Sequence, residues 1–210
     1  MIEKLAYSLG INNENPNIEL ALELIKTKDI KGIDEIAAGL KNPKEQIAND
    51  CIKVLYEIGE RQPGLISKYA GDFIGALSSR NNRMVWGAMT ALSKIAHLKP
   101  QEIFDNLDKV IKAYKNGSVI TVDNSIGVFA GVAASGKEYE EIIFPVIIGH
   151  LKNCRPKEVG QHSERAFACV NAENATVFRS VLLERRDSLS EPQKKRVDKL
   201  LDKINRQWEG

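Results

Sequence analysis

The chain has 210 residues, 43% of them hydrophobic and 28% charged, with a formal net charge of +2. That length holds one sizeable core or a short array of repeated units, and the composition is that of an ordinary folded, soluble protein. The near-balance of charge excludes a global attraction to polyanions, so any electrostatic role depends on where the charges lie.

The opening "MIEKLAYSLG" carries an acid and a base within four residues and lacks the apolar core and small-residue cleavage site of a signal peptide. No window reaches about 18 continuous apolar residues, which disfavours a membrane span. Cys51, Cys154 and Cys169 are odd in number and form no CxxC pair, which fits a reducing compartment. The expectation is a soluble cytoplasmic protein with no membrane partner.

Along the chain, apolar residues recur at three- and four-residue spacing with few β-like alternations. Helices are expected over 17–26, 29–40, 43–60, 63–78, 82–97, 100–115, 118–135, 138–152, 156–170, 174–186 and 191–207. Turn chemistry separates them: "KNPK", "RQPG", "SRNN", "LKPQ", "KNGS", "NCRPK" and "LSEP" supply Pro, Gly, Asn or Ser where a helix must start or stop. The fold class is all-α.

These helices pair, and the pairs recur every 37 residues. Ile36, Phe73, Val110 and Ile147 form one column near the end of the first helix of each pair; Leu40, Leu77, Tyr114 and Leu151 form the next. In the second helix the same step links Ala48, Val85, Val122 and Val159, then Leu55, Leu92, Phe129 and Ala166, then Ile58, Ile95, Val132 and Cys169. Pro63 and Pro100 also match, each placed to open a first helix. The whole chain then reads as a single helical-repeat domain over 1–210: a cap over 1–28, repeats at 29–62, 63–99, 100–136 and 137–173, and a C-terminal pair at 174–210 whose charged "DKLLDKINRQW" suits an outer face.

The units "LKNPKEQIANDCIKVLYEIG" and "LSSRNNRMVWGAMTALSKIA" each have a Leu closing one helix, a short polar turn and an apolar second helix. They resemble the HEAT family within the armadillo-like superhelices, and Pro145 inside "EIIFPVIIGHL" is similar to the kinked first helix of such repeats. The resemblance implies a right-handed α-α superhelix of about four to five helix pairs with terminal caps. Where the family often has an Arg after the Val early in the second helix, this chain has Asn49, Trp86, Asp123 or Gly160.

Residues 119–136, "VITVDNSIGVFAGVAASG", carry only Asp123 as an ionisable side chain. As the second helix of the third pair they turn Val119, Val122, Ile126, Phe129 and Val132 to the core. The opposite side holds Ile120, Asp123, Gly127 and Gly131, and Gly inside a helix costs about 1 kcal/mol relative to Ala, so both glycines imply close packing or an approaching partner. Equivalent faces elsewhere are Gln46, Asn49, Lys53 and Glu57; Arg83, Trp86, Thr90 and Lys94; and Lys157, Gly160, Glu164 and Ala168. Because second helices line the concave surface of HEAT-like arrays, the resemblance implies a partner-binding groove that includes Arg83, Trp86, Thr90, Asp123, Gly127, Gly131 and Glu164, with Asp123 near Trp86. Trp86, opposite its helix's core stripe, is the candidate anchor.

The turns within each pair bring a second pattern. Lys41, Lys44, Arg80, Arg83, Lys112, Lys115, Lys152, Arg155 and Lys157 fall in register as a basic edge, and Glu60, Glu102, Glu138, Glu140, Glu141 and Glu173 as an acidic one. Basic residues at first-helix C-termini complement the helix dipole, which accounts for Lys112, Lys115 and Lys152 better than for Arg83 and Lys157.

Catalytic, metal and cofactor signals are thin. His150, Cys154, His162 and Cys169 have gaps that match no familiar zinc spacing, and repeat packing accounts for His162 and Cys169, so no metal and no cofactor are expected. No phosphate-binding Gly loop and no nucleophile beside a recognisable base is present. Three function classes stay open: a non-enzymatic interaction or scaffold protein whose groove takes a protein or peptide partner; a nucleic-acid-binding protein using the basic edge, whose sharpest form resembles the HEAT-like alkylpurine DNA glycosylases with Trp86 and Asp123 presented to DNA; and a subunit of a larger assembly that covers the Gly127 and Gly131 face.

Overall fold

The structure, a computed structural model, describes residues 1–208. Among them are twelve α-helices, several short 3-10 turns and no strand. The helices are α1 (Asn15–Thr27), α2 (Ile30–Ala38), α3 (Glu45–Arg61), α4 (Ala70–Ala76), α5 (Asn82–Ile95), α6 (Pro100–Phe104), α7 (Leu107–Asn116), α8 (Val119–Ala133), α9 (Lys137–Asn153), α10 (Pro156–Ala166), α11 (Ala175–Arg186) and α12 (Glu191–Trp208).

Local chemistry sets many of the boundaries. The Asp29 carboxylate accepts from the Gly32 N–H at the start of α2, and the Asn81 side chain accepts from the Arg83 and Met84 N–H groups at the start of α5. α1 ends on Lys28 in the left-handed region, its N–H turned back to the carbonyls of Leu24 and Ile25.

Two first helices are less regular than the periodicity predicts. The expected helix 63–78 opens as 3-10 turns at Pro63–Leu65 and Ser67–Tyr69 before α4; Gly64, Gly71 and Gly75 weaken it, and the Ser67 hydroxyl donates to the Gly64 carbonyl. The expected helix 100–115 is interrupted between α6 and α7, where the Asn106 side chain donates to the Glu102 carbonyl.

The apolar columns lie in the core. Ile36, Phe73, Val110 and Ile147 are all buried, as are Leu55, Leu92, Phe129 and Ala166, and Ile58, Ile95, Val132 and Cys169. Leu40, Tyr114 and Val122 are half-buried. On α8, Val119 departs from expectation and is 52% exposed, because it opens the helix ahead of the mostly buried stretch that begins at Thr121. The polar residues of that stretch are satisfied locally: the Ser125 hydroxyl donates to the Thr121 carbonyl and the Asn124 amide to that of Ile120.

The chain gathers into two compact units, residues 1–128 and residues from 129 onward. In the first, α3 packs against α1, α2 and α5, and α5 also packs on α4. The α3–α5 approach is close because Gly87 has no side chain: a Cβ there would meet Ile52 Cγ1 at 2.8 Å.

In the second unit, α12 packs on α10 and α11, and α9 packs on the same two helices. Phe178, Val197 and Ile204 are buried there. Glu140 of α9 is a buried carboxylate bound by the side-chain amides of Asn171 (2.9 Å) and Asn174 (3.0 Å), which tie the loop before α11 to α9.

Candidate functional site

In the first unit, the exposed side of α3 and α5 carries a connected set of aromatic and charged side chains. Trp86 on α5 is half-buried, and its ring centroid lies 5.9 Å from that of Tyr56 on α3. The Lys53 ammonium, one turn before Tyr56, sits 4.8 Å from the Tyr56 ring centre. Lys53 also reaches Glu57 at 2.7 Å and Glu14 at 3.0 Å, while Arg61 bonds the other oxygen of Glu57. Arg83 completes the set by pairing with the second oxygen of Glu14.

Helical spacing explains the alignment. Lys53, Glu57 and Arg61 are successive i, i+4 neighbours on α3, and Trp86 and Thr90 are the same on α5, where the Thr90 hydroxyl donates to the Trp86 carbonyl at 2.8 Å. Burial works against the charged form of Lys53, but its bonds to Glu57, Glu14 and Tyr56 outweigh it and hold the ammonium above the ordinary lysine value. Burial likewise opposes the Glu57 carboxylate, and Lys53 and Arg61 overcome it to hold Glu57 below the usual carboxylate range.

Glu14 was not a candidate from sequence. The segment before α1 brings it across the α3–α5 face, forming with Asn13, Gln46, Asn49, Asp50 and Arg83 part of the lining of a pocket of about 340 Å³. Of its lining residues, Asn49 accepts through Oδ1 from the Asn81 amide at 2.8 Å, and Asp50 accepts from the Tyr7 N–H. Lys53, expected on an open groove wall, is therefore buried, with 9% of its side chain exposed. Gln46 remains exposed.

The remaining groove candidates are placed differently. Asp123 and Gly127 on α8 are half-buried, as is Gly131 farther along that helix. In the second unit, Gly160 and Glu164 face α12: the Gly160 N–H donates to Gln193, and Glu164 is held by the guanidinium of Arg196. A Cβ on Gly160 would run into Gln193 and Arg196. Gly160 thus serves helix packing and the exposed Glu164 an ion pair, because α12 lies against the side that the periodicity left unpartnered.

Several members of the basic edge are already paired. Lys41 bonds Asp72, Arg83 bonds Glu14 and Arg155 bonds Glu158. Lys44, Lys115, Lys152 and Lys157 are exposed. Arg80 and Lys112 are brought together with Lys109, Ser78, Ser79 and Asn82 around a pocket of about 320 Å³ where the α4–α5 and α7–α8 turns meet, and no carboxylate lines it.

The second unit also brings together side chains that sequence spacing had separated. The turn between α9 and α10 places His150, Cys154 and His162 with ligand atoms within 4.8 Å of one another. Cys169 is not among them. No helix among the described residues is long and apolar enough to cross a membrane.

No family model matches the chain, and no curated protein matches it. Solved structures do. An engineered protein is similar at 16% identity and a TM-score of 0.68, over 99% of this chain and 98% of that one. A designed armadillo repeat protein in complex with the peptide (KR)4 is similar at 14% identity and a TM-score of 0.68, over 91% of each chain. Computationally designed armadillo repeat proteins for modular peptide recognition match at 14% identity, a TM-score of 0.66 and 90% of each chain. At such identities the likeness concerns the fold alone, and with the all-helical pairs and their buried columns it identifies that fold as an armadillo/HEAT-like helical repeat.

Proposed function

We propose that the chain is a non-enzymatic interaction protein that takes a peptide or an extended protein segment on the α3–α5 face. The observation that carries this reading is Trp86: a large ring, half-exposed and backed by Tyr56, on the helix pair α3–α5 whose residues Gln46, Asn49 and Arg83 line a polar pocket. A rigid aromatic surface beside polar groups that can pair with a peptide backbone is the composition of a binding hot spot. Glu14, Glu57, Lys53 and Arg83 offset one another's charge there, so the face selects by shape and hydrogen bonding more than by net charge. The peptide complex of a similar designed armadillo protein supports the same use of the fold.

A second reading rests on the carboxylate-free pocket of Arg80, Lys109 and Lys112, which suits an anionic partner such as a nucleic-acid backbone. One binding series separates the two. Peptides selected on the wild-type chain should lose about 30-fold in affinity with Trp86→Ala, equivalent to about 2 kcal/mol, with little dependence on salt. Binding that ignores Trp86→Ala, falls steeply with salt and disappears in the Arg80→Glu/Lys112→Glu variant would reject the peptide reading in favour of the polyanion.

A further inference from the structure

His150 lies in the last turn of α9, Cys154 immediately follows that helix, and His162 projects from the middle of α10. The connection between the two helices is two residues long, Cys154 and Arg155, so the helices fold back on each other and their imidazoles meet. Nε2 of His150 lies 2.7 Å from Nδ1 of His162, with ring centroids 4.8 Å apart. Both rings are buried, His162 completely, while Cys154 at the mouth is half-buried.

We propose that His150 Nε2, His162 Nδ1 and Cys154 Sγ form a binding site for a borderline-soft divalent cation of the zinc class. Two imidazole nitrogens and one thiolate are the donors such ions prefer over magnesium or calcium. With ordinary zinc–ligand lengths, tetrahedral coordination separates two nitrogens by about 3.3 Å and a nitrogen from a sulfur by about 3.6 Å. The imidazole pair therefore opens by roughly 0.6 Å, and the ligand atoms, all within 4.8 Å, adjust by about 1 Å or little more.

The short N···N distance is that of a hydrogen bond whose proton lies between the two ring nitrogens, and the cation takes that proton's place. On binding, the ring that donated moves its proton to its other nitrogen, the Cys154 thiol releases one proton to solvent, and no electron is transferred. Three protein donors leave the fourth position of a tetrahedral ion for water, reached past the half-buried Cys154.

The surroundings hold this geometry. The Arg185 guanidinium of α11 donates to the carbonyls of Leu151 (2.8 Å), Lys152 and Cys154 (2.7 Å), clamping the end of α9 that carries two of the three donors. Burial raises the Cys154 thiol above its ordinary value, and the positive charge of Arg185 beside the sulfur offsets part of that rise. The other cysteines do not compete: burial pushes the thiols of Cys51 and Cys169 up to about 12.

Cobalt(II) titration of the untagged full chain tests the site directly. The expected result is one equivalent of cobalt with visible d–d bands of tetrahedral strength and a near-ultraviolet thiolate-to-cobalt band, both bleached by zinc. Cys154→Ser should abolish the near-ultraviolet band and weaken zinc binding by about 100-fold, the upper end of what even an outer-shell change costs, while far-ultraviolet circular dichroism stays unchanged. Zinc should also protect Cys154 of the wild-type chain from alkylation, a readout that stands even if the variant misfolds. Absence of bands at about a tenfold excess of cobalt, bands that survive Cys154→Ser, or alkylation at the same rate with and without zinc would each overturn the assignment.

Discussion

Glu14, just ahead of α1, holds the guanidinium of Arg83 on α5 across 69 residues of chain, and its other oxygen takes the ammonium of the buried Lys53. One carboxylate thus ties the N-terminal segment to two second helices and closes one end of the Trp86 face.

Replacing Glu14 by Gln should therefore reach beyond the surface. Glu14 and Arg83 are each exposed by more than a third, which limits that half of the contact to surface-pair strength. Lys53 is not so exposed, and loss of one of its two partners is expected to cost about 1–2 kcal/mol in urea unfolding. A change within 0.3 kcal/mol would mean that the clamp contributes only position.

The core columns predict a different scale. Leu92→Ala and Phe129→Ala, at residues no more than 1% exposed, should each cost about 2–5 kcal/mol. Gln46→Ala, on the exposed side of α3, should stay within about 0.5 kcal/mol. Lys53→Ala belongs nearer the first group, since it takes one partner from each of Glu57 and Glu14 and leaves a gap beside Tyr56. Equal effects at Leu92 and Gln46 would contradict the assigned helix faces.

At Gly87, local propensity and packing point in opposite directions. Ala in a helix interior is favoured over Gly by about 1 kcal/mol, yet its Cβ would press on Ile52, which cannot retreat within the α3–α5 contact. Gly87→Ala should destabilise the chain by about 1–3 kcal/mol, as measured by the shift in denaturation midpoint. A stabilised variant would show that the two helices can separate at little cost.

Acid should loosen the second unit through Glu140. Burial alone would raise its pKa, but the amides of Asn174 and Asn171 and the nearby Lys137 outweigh burial and hold the carboxyl below its ordinary range. A depressed folded-state pKa contributes stability that is present above the unfolded value of about 4.3 and is lost as pH falls through the folded one. Hydrogen exchange around residues 171–174 should accelerate as pH is lowered below about 4, after correction for the intrinsic rate. In Glu140→Gln that acid-dependent step should vanish, and a step that persists would place its origin elsewhere.

The helices, their pairing and the buried columns were legible in the sequence because each depends on apolar spacing along a single helix and on turn residues a few positions away. Leu55, Leu92 and Phe129 identify the core by period alone, and Asn81 announces its helix by capping chemistry. Tertiary structure alone decided which polar side chains meet. Nothing near Lys53 in the chain indicates that Glu14 will cover it, and nothing near Glu164 indicates that Arg196, 32 residues on, will take it out of a groove. The 12-residue gap between His150 and His162 resembles no ligand spacing until a two-residue connection folds α10 back on α9. Helical periodicity reports the face a residue occupies, whereas charge pairing and ligand geometry require positions in space that only the packed chain supplies.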